Sequence, residues 1–131
     1  MTPSQKCALL EAIGDGAASA AHRLVDVSWP AHHRVLHAIL DLAYTLGRVE
    51  MLRRGEYLLE VVGSGLVPLL NGLQFINAGL TQATAVKLEG GGPVTEDELT
   101  ILAATLATTA AAFHEAAASA ASEAIAHRRR N

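Results

Sequence analysis

Apolar residues recur at three- and four-residue intervals along most of this chain, which is the spacing of one face of a helix. Thr2 followed by Pro3 offers a hydroxyl cap with proline in the first turn, and Ala8, Leu9, Ala12 and Ile13 supply the stripe of a first helix. Gly14-Asp15-Gly16 is expected to interrupt it, leaving a short separate piece or a kinked continuation from Ala17 to Val25. Ser28 is placed to cap a second helix with Pro30 inside its first turn. That helix is expected to run to about Arg54, where Arg53 and Arg54 complement the negative end of the dipole and Gly55 can adopt the left-handed conformation. At 100° per residue Val35, Leu36, Ile39, Leu42, Ala43, Leu46 and Val49 share its apolar face. His33, His37, Asp41, Tyr44 and Arg48 fall on the other side.

Glu56 to Val62 reads as a further helical turn or two, ended by Gly63-Ser64-Gly65. A third long helix is expected to follow, capped by Ser64 or Gly65, with Pro68 in its first turn, and to reach about Glu89. Gly90-Gly91-Gly92-Pro93 is the strongest breaker in the chain. Beyond it Thr95-Glu96-Asp97-Glu98 makes a capping box that sets three carboxylates at the positive end of a last helix extending to near Arg130. The expected architecture is all-α, a single domain over 1–131: an up-down bundle of four principal helices, the first broken or kinked.

Two of these helices lack an obvious solvent face. On the third, Leu66, Leu69, Leu73, Ile76 and Leu80 make one stripe, yet Phe75 and Val86 lie opposite, among Asn71 and Gln82. Gly72 and Gly79 leave a shallow groove on which another backbone can approach closely. On the last helix, Leu99, Leu102, Leu106, Ala110, Phe113, Ala117, Ala120 and Ala124 form a seam. Its reverse face holds Ile101, Ala104, Thr108, Ala112, Glu115, Ser119 and Ser122, and no charge occurs between Leu99 and His114. A bundle helix in a solitary chain keeps one face outward, so faces this neutral are expected to be covered by something else.

Composition sharpens that expectation. Of 131 residues only 18% are charged, half are hydrophobic and 25 are alanine, which excludes a disordered chain and favours closely packed helices. A net charge of -3 gives no electrostatic footprint for nucleic acid. The single cysteine, Cys7, permits no internal disulfide and belongs to no zinc-ligand pattern, and the first ten residues lack the apolar core of a secretory signal, so a cytoplasmic location is expected. From Val61 to Val86 there is no Asp, Glu, Lys or Arg, a span long enough for a bilayer, but its glycines, amides and Pro68 argue against insertion.

Candidate chemistry is sparse. His33, His37 and Asp41 stack at i, i+4 and i+8, a weak set of metal ligands unless His114, Glu115 or His22 converges on them. No Glu-x-x-His pair, phosphate loop, nucleophile elbow or activated Cys/His dyad occurs, and neither a metal nor a cofactor is expected. Glu50 and Arg54, in the charge cluster from Glu50 to Glu60, are spaced as an ordinary surface pair. The residues point to a non-catalytic helical subunit that self-associates or packs against a protein partner. Its interface is expected at Leu69, Gly72, Phe75, Gly79 and Val86 on the third helix and at Ile101, Thr108 and Ala112 on the last. The alternatives are a metal- or cofactor-binding protein using the His-rich face of helix two with His114, and a membrane-associated protein using Val61 to Val86.

Overall fold

The computed structural model of the protein describes residues 1–88 and 94–130, the side chains of 85–88 excepted. It is almost entirely helical, with no strand among the described residues. Its helices are α1 (Pro3–Val25), α2 (Ala31–Arg54), α3 (Leu58–Val62), α4 (Val67–Leu88) and α5 (Glu96–Arg130). The expected connector at Gly90 to Pro93, and the end of the third helix at Glu89, lie outside the described residues.

The helix starts follow local chemistry. Thr2 caps α1 through a reciprocal pair: the Gln5 N–H donates to Thr2 Oγ1 at 3.2 Å and the Thr2 N–H donates to Gln5 Oε1 at 2.9 Å. Thr95 Oγ1 accepts from the Glu98 N–H at 3.2 Å at the start of α5. Ser28 does not cap α2. Its N–H and hydroxyl both turn back to Asp26 Oδ1, and Pro30 occupies the cap position with no side-chain bond. These two bonds hold the Asp26 carboxyl below its ordinary value, the hydroxyl contributing most. At the end of α2, Gly55 is right-handed (φ -82), and the positive dihedral falls one residue later, on Glu56 (φ 64).

The interruption expected at Gly14-Asp15-Gly16 is absent: α1 is one continuous helix from Pro3 to Val25. Each glycine costs about 1 kcal/mol of helix propensity, but here both sit where neighbouring helices come close. A Cβ on Gly14 would stand 2.5 Å from His114 Cδ2 and 3.2 Å from the Ala110 carbonyl oxygen of α5. A Cβ on Gly16 would stand 1.8 Å from Thr45 Oγ1 of α2. Tertiary contact, not local propensity, decides the conformation of this segment.

α1 lies between α5 and α2 and packs most extensively on α5, α4 packs on α2, and α4 and α5 touch only slightly. Ser19 and Arg23 meet Asp41 while Gly16 meets Thr45, so α1 and α2 run in opposite directions. The seam of α5 is clean: Leu99, Ala103, Leu106, Ala110, Phe113, Ala117, Ala120 and Ala124 are buried, and Leu102 is only half-buried. α1 buries Leu10, Ile13, Gly14, Ala17, Ala20, Ala21 and Leu24, a set in which glycine and alanine outnumber the large side chains and let its neighbours come close. On α2 the buried set is Arg34, Val35, Ala38, Leu42, Thr45, Val49 and Leu52. Leu36 and Ala43, expected inside, are exposed; the arc of α2 that turns inward instead carries Ala38 and Thr45, with Thr45 set against Gly16 of α1.

Candidate functional site

The stack of His33, His37 and Asp41 does not survive as a ligand set. Asp41 is drawn to α1, where its Oδ2 accepts from Ser19 Oγ at 2.8 Å and Arg23 Nε at 3.4 Å. His33 and His37 stay at the surface beside Trp29, each ring centre 6.2 Å from the indole, His33 stacked on it and His37 tilted. His32 meets His33 edge-on at 4.4 Å. Among the described residues no three His, Cys, Asp or Glu side chains are grouped to hold a metal ion.

His114, the other candidate ligand, lies on α5 over Gly14, and its Nε2 contacts Asp15 Oδ1 at 2.8 Å. The pair borders a shallow open cleft of about 410 Å³ that Cys7, Glu11 and Ala117 also line. With Nε2 turned to Asp15, a carboxylate fixes the orientation of the imidazole.

The strongest polar constellation is one that sequence reasoning passed over. Arg34, 5% exposed, lies at the start of α2 and spans three elements. Its Nη1 and Nη2 donate to Glu96 at 2.9 and 2.6 Å, its Nη1 donates to the Leu24 carbonyl at 3.2 Å, and its Nε donates to the Trp29 carbonyl at 2.8 Å. The bidentate hydrogen bonds raise the Arg34 value and hold the Glu96 carboxyl below its ordinary range. This joint holds the end of α1, the start of α2 and the first turn of α5 on one another through four hydrogen bonds from one side chain. An arginine abutting the apolar stripe at Val35 and Ala38 was its only trace in the sequence.

The expected interface residues divide by position. Phe75 is 82% exposed on α4, and Gly72 and Gly79 beside it have open space where a side chain would stand. Ile101 is 66% exposed and Thr108 is exposed on α5, whereas Ala112 is half-buried. Leu69 is half-buried against the core, and the side chain of Val86 is outside the described residues. From Pro68 to Gln82 the exposed residues of α4 are all uncharged.

The stretch from Val61 to Val86 is not one helix: α3 ends at Val62, Gly63 takes φ 75, and α4 begins at Val67. Among the described residues α5 alone is long and apolar enough to cross a bilayer by length and composition, a test that core helices also pass. Compared with protein-family models, with curated proteins and with solved structures, the chain matches none.

Proposed function

We propose that the protein is a non-catalytic helical subunit that self-associates, or packs into a larger assembly, through the outward faces of α4 and α5. The observation that carries this reading is the face of α4: a phenylalanine 82% exposed, set among exposed residues that are uncharged from Pro68 to Gln82. Removing one such side chain from water contributes about 1.5–3 kcal/mol, which an isolated chain forgoes. The long helices form an up-down bundle in this reading, a layout that the opposed directions of α1 and α2 support.

The test is the solution mass by light scattering across a dilution series. A mass above one chain that falls on dilution, and that Phe75→Glu lowers without loss of helicity, agrees with the reading. A single-chain mass at every concentration, with no protein recovered in a pull-down, contradicts it.

A further inference from the structure

We propose that a second copy of this chain covers the outward face of α5, the two α5 helices running antiparallel about a two-fold axis at Phe113. This rests on the self-association proposed above and gives the geometry of its α5 contact alone; α4, which packs on α2 and barely touches α5, makes a separate contact. α5 carries two seams in which the spacing alternates between three and four residues, the spacing at which helices interlock. One, from Leu99 through Phe113 to Ala124, is buried in the subunit, where α1 is the principal neighbour. The other runs along the outward side from Ile101 to Ile125, and every residue on it is exposed, Ala118 also bordering the cleft between α1 and α5.

That second seam is complementary to its own reverse. The axis at Phe113 sets Ile101 against Ile125 of the second copy, Ala104 against Ser122, Thr108 against Ala118 and Ala111 against Glu115. The two large apolar side chains of the seam, 66% and 50% exposed, thereby meet each other in two symmetric layers. Small residues in the layers of Ala104 with Ser122 and Thr108 with Ala118 allow close approach of the backbones. One layer further out, Asp97 meets Arg129 of the second copy, with Glu98 and Arg128 flanking the same layer.

Charge fixes the direction. The first turn of α5 carries Glu96, Asp97 and Glu98 and the last turn carries Arg128, Arg129 and Arg130. Parallel pairing would bring like charges together at both ends, and antiparallel pairing brings opposite charges together at both. The one charge inside the seam, Glu115, faces Ala111 of the second copy, but its symmetry mate lies close to the axis as well. Glu115→Ala therefore tightens the dimer.

The experiment is cross-linking in a Cys7→Ala background. Thr108→Cys and Ala118→Cys chains are oxidised separately and as a mixture. The mixture yields a disulfide dimer, and each chain alone does not, because identical positions lie about 15 Å apart along the axis. In parallel, Asp97→Arg or Arg129→Asp alone weakens the dimer about tenfold, and the two together in one chain restore it to within about threefold. Circular dichroism checks that helicity is unchanged. A dimer by light scattering in which the mixture fails to cross-link, or the double exchange fails to restore affinity, overturns this geometry and leaves self-association standing. A single-chain mass throughout overturns both.

Discussion

Gly16→Ala measures directly how close α1 and α2 come. Alanine gains about 1 kcal/mol of helix propensity over glycine, so at an open helical site the substitution stabilises. At Gly16 the new methyl would stand 1.8 Å from Thr45 Oγ1, 3.2 Å from its Cγ2 and 3.0 Å from its Cβ. Thr45 is 2% exposed and its hydroxyl donates to the Asp41 carbonyl at 2.8 Å, so it has neither room nor reason to swing away. Overpacking of this kind costs about 1–3 kcal/mol, and the severity of the overlap places it at the upper end. Set against the propensity gain, the net loss is about 2 kcal/mol, or a fall in Tm of roughly 8 °C for a domain of this size. Urea unfolding followed by circular dichroism at fixed protein concentration reads it. Thr45→Ala removes Oγ1 and Cγ2 and relieves most of the overlap, so the double variant recovers at least about 1 kcal/mol of coupling. Gly47→Ala on α2, with no atom within 4 Å, serves as the open-site control and gains about 0.5–1 kcal/mol. If Gly16→Ala stabilises as much as Gly47→Ala does, the close approach of α1 and α2 is refuted.

Glu56 holds φ 64 without a glycine's freedom, so Glu56→Gly raises stability by about 0.5–1 kcal/mol, read as a shift in the urea midpoint. Phe113, fully buried on α5, loses about 3–5 kcal/mol on truncation to alanine, measured in the same way. The Glu50 carboxyl is lowered from 4.5 to about 2, first by its bond from Arg53 and then by Arg54, and Glu96 is lowered by Arg34. A depressed carboxylate stabilises the fold above its unfolded value, and that contribution is lost as pH falls through the folded one, so stability declines between pH 4.5 and about 2. Glu50→Gln flattens that decline in urea midpoints taken across the window, and added salt does so partly, because the cluster is exposed. Gly72→Ala or Gly79→Ala stabilises a solitary chain by about 1 kcal/mol, but loosens the assembly if another backbone lies against α4; sedimentation separates the two outcomes.

The helices were legible because their signals are local. Caps such as Thr2 and Thr95 and the spacing of Leu99, Leu106 and Phe113 lie within one segment and can be read there. Which arc of α2 turns inward was not, since that depends on the surface it meets. α1 presents Gly16 and Ser19, and a surface so shallow admits Thr45 and Asp41 where a sequence pattern favours Leu36 and Ala43. On that face Asp41 is bonded to Ser19 and Arg23 of α1, and among the described residues it is grouped with no two other metal-ligating side chains. The joint of Arg34 with Glu96 joins residues 62 apart, and neither residue type nor spacing within its own helix announces such a partner.

Glycine shows the limit most sharply, because one residue type has two meanings in this chain. In α1, Gly14 and Gly16 look like helix breakers and prove to be contact points, with neighbours that would overlap a side chain. In α2 and α4, Gly47, Gly72 and Gly79 sit in equally regular helix with nothing above them. The propensity cost is alike in both places, about 1 kcal/mol each, but only in α1 does the chain itself supply the packing that offsets it. For α4 the offset has to come from outside the chain or not at all. Phe75, between two of these glycines and four-fifths exposed, makes the first alternative the one to test.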